Sequence, residues 1–133
     1  DESASASLGG SERILIVDDE DGVRRSAARV LTRHGYSVQE ASDGEGALEL
    51  LGNDGPRVDL VLTDVVMPRK SGLALYQELR SRGRRVLLMS GCTSEDFEAL
   101  NQAHPGVRIL LKPWSATDLL RAVRAALEEQ AAA

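Results

Sequence analysis

The sequence predicts an α/β protein in which one parallel β-sheet is covered by helices on both faces. Two observations point to this fold. From residue 13 onward, five short apolar segments alternate with five segments whose apolar residues recur at helical spacing. Most of the apolar segments are hydrophobic along their whole length, which is typical of strands buried on both faces of a sheet. With 133 residues, 42% of them hydrophobic, the chain has the size and composition of one domain with its own core.

The five predicted strands differ in how strongly the sequence indicates them. Residues 14–17 are all aliphatic, and residues 58–63 contain only one Asp and one Thr among apolar residues. Residues 37–40 are a weaker candidate, because only one of them is apolar. In residues 85–89 and 107–111, an arginine is followed by an uninterrupted apolar run, so both segments are predicted to be strands.

The segments between and after these strands have apolar residues every three or four positions, which predicts helices. The first helix is expected to end at His34, because Gly35 follows it and glycine is favoured just past a helix end. Ser115 is a preferred N-cap residue for the last helix, with Asp118 three residues later. The other three predicted helices span about residues 43–53, 73–81 and 93–103.

The first twelve residues differ in composition from the rest of the chain. Residues 1–12 are rich in Ser, Ala and Gly and show no apolar periodicity, which is typical of a flexible linker or tail. We therefore expect the folded domain to span residues 13–130. Since the chain does not begin with Met, we expect it to be a segment of a longer polypeptide.

The charges and residue types exclude several classes of protein. The net charge is −5, so the chain as a whole lacks the basic field of a nucleic-acid-binding protein. One Trp, two Tyr and one Phe offer little surface for stacking on bases. The single cysteine, Cys92, excludes an internal disulfide and a zinc site built from several cysteines, and it fits a reducing compartment.

Nothing in the sequence indicates a membrane protein or a secreted one. No apolar run approaches the roughly 18 residues needed to cross a bilayer, and no signal-peptide pattern opens the chain. We therefore expect a cytoplasmic domain that contacts neither a membrane nor nucleic acid directly.

Polar side chains follow the ends of four predicted strands. Asp18 and Asp19 come after the first strand, Asp64 after the third, Ser90 after the fourth and Lys112 after the fifth. Because the carboxyl ends of parallel strands meet at one edge of a sheet, we expect these side chains to lie close together. They are far apart in the sequence, so no local turn or helix requirement accounts for the set.

Clustered carboxylates of this kind need a positive partner. Two carboxylates about 5 Å apart repel by roughly 3 kcal/mol at an effective dielectric constant near 20, which favours protonation of one or binding of a cation. Mg²⁺ suits one or two carboxylates together with waters and substrate oxygens, and Lys112 offers a compact charge for a phosphate. Together with a hydroxyl, these groups make a site for phosphoryl transfer to a carboxylate. Taken singly, Asp18 and Asp19 are equally explained as helix-capping residues, and Lys112 as a strand-end lysine.

Four motifs carry a resemblance to a known family. They are ILIVDDE (residues 14–20), DLVLTDVVMP (59–68), LLMSG (87–91) and LKP (111–113). In this order and at these strand ends, they resemble the receiver domains of two-component response regulators, over about residues 13–130. The resemblance implies a flavodoxin-like sheet of five parallel strands in the order 2-1-3-4-5, with helices on both faces.

At the matching positions, the resemblance implies a phosphoacceptor site that depends on Mg²⁺. Asp64 would accept a phosphoryl group from a phosphohistidine. Asp18, Asp19 and Asp64 would hold the Mg²⁺ ion, together with the backbone carbonyl of Val66. Lys112 would bind a phosphoryl oxygen.

The resemblance also implies how the remaining phosphoryl oxygens are bound and how the domain switches. The Ser90 hydroxyl and the amides of Val65 and Gly91 would bind these oxygens, and the Lys112–Pro113 peptide bond would be cis. Ser90 would move inward on activation. The family commonly has an aromatic residue at the position of Ile109, where it moves together with the hydroxyl. An aliphatic side chain has no ring to move, so the usual coupling between these two switch positions is in question here.

The motifs look most like those of receivers attached to hybrid sensor histidine kinases. The implied partner is a histidine kinase or a histidine phosphotransfer protein, which includes a kinase core in the same polypeptide. The domain would assist its own phosphorylation without being an enzyme, and the phosphate would shift a two-state surface.

Two other functions stay open at the level of sequence. One is a Mg²⁺-dependent phosphatase that works through an aspartyl phosphate, although the motif of that family has a second Asp where this chain has Val66. The other is a passive receiver-like module that binds proteins without being phosphorylated. Treatment with acetyl phosphate would distinguish the three, because each predicts a different fate for Asp64.

Overall fold

The computed structural model describes residues 9–52, 58–65, 72–91 and 94–128, and for residues 94–97 only the backbone. Strands and helices alternate along this part of the chain. The strands are β1 (Arg13–Val17), β2 (Ser37–Ala41), β3 (Leu60–Asp64), β4 (Val86–Ser90) and β5 (Arg108–Leu111). The helices are α1 (Asp21–Arg33), α2 (Gly44–Gly52), α3 (Gly72–Ser81), α4 (Ser94–Ala103) and α5 (Ala116–Glu128).

The five strands form one parallel sheet in the order β2-β1-β3-β4-β5. This confirms the predicted α/β class and the strand order implied by the resemblance. Val17 pairs with Thr63, Asp64 with Met89, and Ser90 with Leu111. The carboxyl ends of β1, β3, β4 and β5 therefore lie side by side.

Two hydrophobic cores cover the two faces of the sheet. Because side chains alternate along a strand, Ile14 and Ile16 enter one core while Leu15 and Val17 enter the other. The first core is completed by apolar residues of α1 and α5, and the second by those of α2 and α3. All residues of β3 and β4 are buried, which confirms the prediction of strands covered on both faces.

The edge position of β2 explains why its sequence signal is weak. Ala41 is the one fully buried residue of this strand, and the side chains before it are partly or fully exposed. An edge strand has a neighbour on one side only, so polar residues are tolerated along most of its length. β1, which has neighbours on both sides, has four buried aliphatic residues in succession.

Local side-chain contacts fix several helix ends. Ser115 and Asp118 form the expected capping box, since the Asp118 amide donates to Ser115 Oγ and the Ser115 amide to Asp118 Oδ2, each over 3.0 Å. α2 begins at Gly44 rather than at Asp43, because the Asp43 carboxylate caps it by accepting from the Gly46 amide over 2.8 Å.

The part of the predicted linker that the structure describes contacts the domain. The Gly10 amide donates to the His34 carbonyl over 3.1 Å, and the Ser37 amide donates to the Glu12 carbonyl over 3.0 Å. Gly35 has a φ of +97°, and a side chain there would overlap the Gly10 carbonyl oxygen. A glycine at position 35 therefore allows residues 9–12 to lie against the end of α1.

An ionic cluster lies where these residues meet α5, and we call Glu12, Tyr36, Arg124 and Glu128 the Glu12–Arg124 cluster. Arg124 Nη2 lies 2.6 Å from Glu12 Oε2, and Nη1 donates to Glu12 Oε1 over 3.2 Å. Arg124 also donates to the Tyr36 hydroxyl over 3.3 Å and to Glu128 over 3.1 Å. Since Glu12 precedes β1 and Tyr36 precedes β2, the cluster lies at the amino-terminal edge of the sheet.

No helix in the described part of the chain combines the length and the apolar character needed to cross a membrane.

Candidate functional site

The parallel sheet brings the predicted site residues to one edge. Asp18 follows β1, Asp64 and Ser90 are the last residues of β3 and β4, and Lys112 follows β5. Backbone hydrogen bonds continue past the strand ends, since the Lys112 amide donates to the Ser90 carbonyl over 2.8 Å. We call Asp18, Asp19, Asp64, Ser90 and Lys112 the strand-end site.

Lys112 lies between the two buried carboxylates of this site. Its Nζ atom is 3.5 Å from Asp18 Oδ2 and 3.4 Å from Asp64 Oδ1. The Asp18 residue is 0% exposed, and Asp64 is 8% exposed. The lysine therefore joins residues from three strand ends, because it contacts both carboxylates from its own position after β5.

Three carboxylates of the site are close enough to bind one metal ion. One carboxylate oxygen each from Asp18, Asp19 and Asp64 lies within 4.8 Å of the others. Oxygen donors from carboxylates are the ligands that a hard divalent cation prefers, so the residues present fit Mg²⁺. Val66, whose carbonyl the resemblance adds to this set, lies outside the described residues.

The charges of the site shift the pKa values of Asp64 and Lys112. Burial raises the pKa of the Asp64 carboxyl, the Lys112 charge lowers it and the Asp18 charge raises it again, so that the balance is upward. Burial alone would lower the pKa of the Lys112 ammonium, but the negative charges of Asp18 and Asp64 outweigh burial and raise it. One ammonium thus does not neutralise the carboxylates, which leaves the site with an excess of negative charge.

Backbone amides fix the orientation of the carboxylates. Asp18 Oδ1 accepts from the Glu20 amide over 2.9 Å, and Asp64 Oδ1 accepts from the Val65 amide over 3.0 Å. The Val65 amide also donates to the Met89 carbonyl over 3.0 Å. The predicted phosphoryl-binding amide of Val65 is therefore directed at the Asp64 carboxylate.

A glycine lets α3 begin directly against Asp64. A side chain at Gly72 would overlap the Asp64 carbonyl oxygen, and the Gly72 amide donates to the Val65 carbonyl over 2.8 Å. No sequence motif predicts this role for Gly72. A glycine shortly after a strand-end motif is a weak signal, because many loops contain one.

An open cavity of about 730 Å³ adjoins the site. Its walls include Asp64, Val65, Ser90, Gly91 and Lys112, all of which the resemblance places around a phosphoryl group. The cavity leaves room for such a group beside the Asp64 carboxylate.

The segment after β5 forms the other side of the site. The Lys112–Pro113 peptide bond is cis, the geometry that the resemblance implies. Trp114 lines a second cavity of about 510 Å³ together with Lys112 and the first turns of α1. Ile109 lies further back in β5, where it is half-buried against the second core.

Sequence reasoning missed Arg24, which contacts the loop that carries Asp18 and Asp19. The Arg24 guanidinium binds the Asp18 carbonyl and the carboxylates of Asp21 and Glu40. The spacing of Asp21 and Arg24 on one helix could have indicated their ion pair. The contact with Glu40 has no local signal, because Glu40 lies in another strand.

Comparison with known proteins identifies the family of this chain. The family model for the response regulator receiver domain matches residues 14–124. The chain belongs to the receiver domain family. The match covers β2 to β5, all of β1 except Arg13, and every residue of the strand-end site.

Relatives of this receiver domain occur in two kinds of protein. It is 38% identical over 125 residues to Sensor kinase CckA of Brucella abortus, covering 92% of this chain and 13% of that protein. It is 41% identical over 119 residues to Response regulator MprA of Mycolicibacterium vanbaalenii, covering 86% of this chain and 50% of that protein. The chain thus spans half or less of these two relatives.

A solved receiver domain has the same fold. The receiver domain of the hybrid histidine kinase CckA is 36% identical, with a TM-score of 0.71 over 87% of this chain and 99% of that one. The sequence and the structure of this chain are therefore both similar to those of receiver domains in two-component signalling, including the receiver of a hybrid kinase.

Proposed function

We propose that residues 13–130 form a receiver domain in which Asp64 accepts a phosphoryl group from a phosphohistidine in a Mg²⁺-dependent reaction. One observation carries the proposal. Asp64 lies at the end of β3, 3.4 Å from the Lys112 ammonium and within 4.8 Å of the carboxylates of Asp18 and Asp19. A nucleophile, a cation for the phosphoryl oxygens and ligands for a metal ion thus share one cavity edge.

The reaction follows from the roles of these groups. An Asp64 carboxylate oxygen attacks phosphorus, a P–O bond forms, and the P–N bond breaks with its electron pair remaining on the imidazole nitrogen. Lys112, the Ser90 hydroxyl and the amides of Val65 and Gly91 bind the phosphoryl oxygens. Mg²⁺, when bound, supplies positive charge that offsets the charge of the carboxylates and the phosphoryl group.

Asp18, Asp19 and Asp64 would hold this ion, and the resemblance adds the Val66 carbonyl to these ligands. Once Asp64 is phosphorylated, contacts of the phosphoryl oxygens with the site cause Ser90 to move inward. The neighbouring part of β5 that contains Ile109 moves with it. Since Ile109 is half-buried against the second core, its movement requires repacking there rather than rotation of an aromatic ring.

The donor is a histidine kinase or a histidine phosphotransfer protein, and the reaction takes place in the cytoplasm. The domain itself is a phosphoacceptor that turns over no separate substrate. The similarity to the receiver of a hybrid kinase supports a kinase core as the donor.

Phosphorylation by acetyl phosphate in the presence of Mg²⁺ tests the proposal. Intact-mass measurement is expected to show one added phosphoryl group, which is lost in Asp64→Asn and when Mg²⁺ is removed by a chelator. Glu49→Gln is a matched control, because it removes one carboxylate charge at an exposed position of α2. Phosphorylation of Asp64→Asn would contradict the assignment, repeated turnover of a phosphomonoester would favour a phosphatase, and no modification would favour a passive module.

A further inference from the structure

Arg24 holds together three parts of the molecule next to the metal ligands. Its Nη1 donates to the Asp18 carbonyl over 2.9 Å, and its Nε donates to Glu40 Oε1 over 3.0 Å. Its Nη2 lies 2.7 Å from Asp21 Oδ1. The side chain is 12% exposed, so these charge-assisted hydrogen bonds are largely shielded from water.

The carbonyl that Arg24 binds belongs to the peptide unit between Asp18 and Asp19. The Asp18 amide on the other side donates to the Ala41 carbonyl over 3.2 Å. The main chain of Asp18 is thus fixed to β2 twice, directly through Ala41 and through Arg24 to Glu40. The same peptide unit leads to the Cα atom of Asp19, so its position sets the point from which the Asp19 side chain extends.

We propose that Arg24 is a positioning residue for the Mg²⁺ site, because it fixes the peptide that joins the two carboxylates of Asp18 and Asp19. The proposal rests on the proposed function in taking Mg²⁺ as the cation. Residues that orient metal ligands typically contribute about 10- to 100-fold to metal affinity. A lysine cannot replace the planar guanidinium, which reaches three acceptors in fixed directions.

The positive charge of Arg24, considered alone, predicts that replacing this residue strengthens Mg²⁺ binding. A positive charge near a cation site repels the cation, so its removal would tighten Mg²⁺ binding if electrostatics alone acted. Loss of positioning weakens binding instead. The sign of the change in Arg24→Ala therefore separates the two explanations, and Arg24→Lys keeps the charge while removing the geometry.

Titration calorimetry with Mg²⁺ alone tests the proposal on the full chain and on Arg24→Ala, Arg24→Lys and Arg25→Ala. Arg25 is the matched control, because it is an exposed arginine one position along the same helix. We expect Kd to rise at least about tenfold in both Arg24 variants and to stay near its original value in Arg25→Ala. Circular dichroism checks that each variant is folded, and Arg24→Lys decides the matter should Arg24→Ala unfold.

Phosphorylation by acetyl phosphate gives a second readout. The Mg²⁺ concentration for half-maximal rate is expected to rise by the same factor as Kd, whereas the rate at saturating Mg²⁺ changes little. Unchanged or tighter Mg²⁺ binding in Arg24→Lys or a folded Arg24→Ala, or no Mg²⁺ binding by the original chain, would overturn the proposal. If the original chain binds Mg²⁺ but Asp64 is not phosphorylated, the proposed function fails while the comparison of Kd values still decides the role of Arg24.

Discussion

The strand-end site and the Glu12–Arg124 cluster are two ionic groups at opposite edges of the same sheet. In the cluster, one arginine binds both oxygens of Glu12 and also contacts Tyr36 and Glu128. In the strand-end site, one lysine faces two buried carboxylates, with a third nearby. In the cluster, the second carboxylate, Glu128, is 67% exposed to solvent, whereas the site places two buried carboxylates beside a single ammonium.

The pKa values reflect this difference. The hydrogen bond from Arg124 lowers the pKa of the Glu12 carboxyl, so the ionised form is favoured in the folded protein. Burial and the Asp18 charge raise the pKa of the Asp64 carboxyl despite Lys112. Similar residue types therefore favour the ionised carboxylate at one edge of the sheet and disfavour it at the other.

Mg²⁺ is expected to have the largest effect, and only at the strand-end site. At a concentration of 100 times Kd, a ligand that binds only the folded state adds about 2.7 kcal/mol to the free energy of unfolding. Denaturation with and without Mg²⁺ is expected to show this gain in the original chain and in Arg124→Ala. A gain of equal size in Asp64→Asn would contradict the assignment of Asp64 as a metal ligand.

Loss of Arg124 is expected to be the next largest effect. Arg124→Ala removes the ion pair to Glu12 and leaves this carboxylate without its partner, so the free energy of unfolding should fall by about 2 kcal/mol. Arg121→Ala, at an exposed position of the same helix, is the control and should change it by less than about 0.5 kcal/mol. Equal effects of the two substitutions would show that the cluster does not stabilise the fold.

Asp64→Asn is expected to act in the opposite direction. Without Mg²⁺ at pH 7, removal of this carboxylate charge should raise the free energy of unfolding, because burial and the Asp18 charge disfavour the ionised form. A loss of stability would show that the attraction to Lys112 outweighs burial and the repulsion from Asp18.

The stabilities of Arg124→Ala and Asp64→Asn are expected to depend on pH in ways that distinguish the cluster from the strand-end site. Because the pKa of Glu12 is lowered by folding, its contribution is present above the unfolded pKa, near 4.3, and is lost as pH falls through the folded value. Because the pKa of Asp64 is raised, its cost is absent below the unfolded pKa, near 3.9, and develops as pH rises through the folded value. We therefore expect chemical denaturation between pH 7 and pH 3 to show the following trend. The difference in the free energy of unfolding between each variant and the original chain becomes smaller as the pH falls.

The smallest expected effect is spectroscopic. Trp114 is the single tryptophan and lines a cavity with Lys112, so its fluorescence should change when Mg²⁺ or beryllofluoride binds. Arg124→Ala removes the ion pair of the Glu12–Arg124 cluster but should leave this fluorescence change intact. The absence of any change at saturating beryllofluoride would contradict the location of Trp114 beside the site.

The sequence predicted the central strands well because their burial has a local signature. The aliphatic residues of β1, β3 and β4 identify strands covered on both faces, and parallel pairing then brings Asp18, Asp64 and Lys112 together. The strand-end motifs added the strand order through the resemblance. The capping box of Ser115 and Asp118 was also predictable, because both partners lie within one turn.

Contacts between distant segments had no such signature. Residues 9–12 have the composition of a linker, and only the approach of α5 shows that Glu12 has a partner in Arg124. Likewise, the i,i+3 spacing indicates Arg24 as a partner of Asp21, but its bond to the Asp18 carbonyl and to Glu40 required the sheet to be assembled. Side-chain periodicity and motif order are properties of short segments, so the sequence determined the elements and the chemistry at their ends. Whether a charged side chain has an oppositely charged partner depends on distances between segments that are far apart in the sequence. Only the tertiary structure determined those distances.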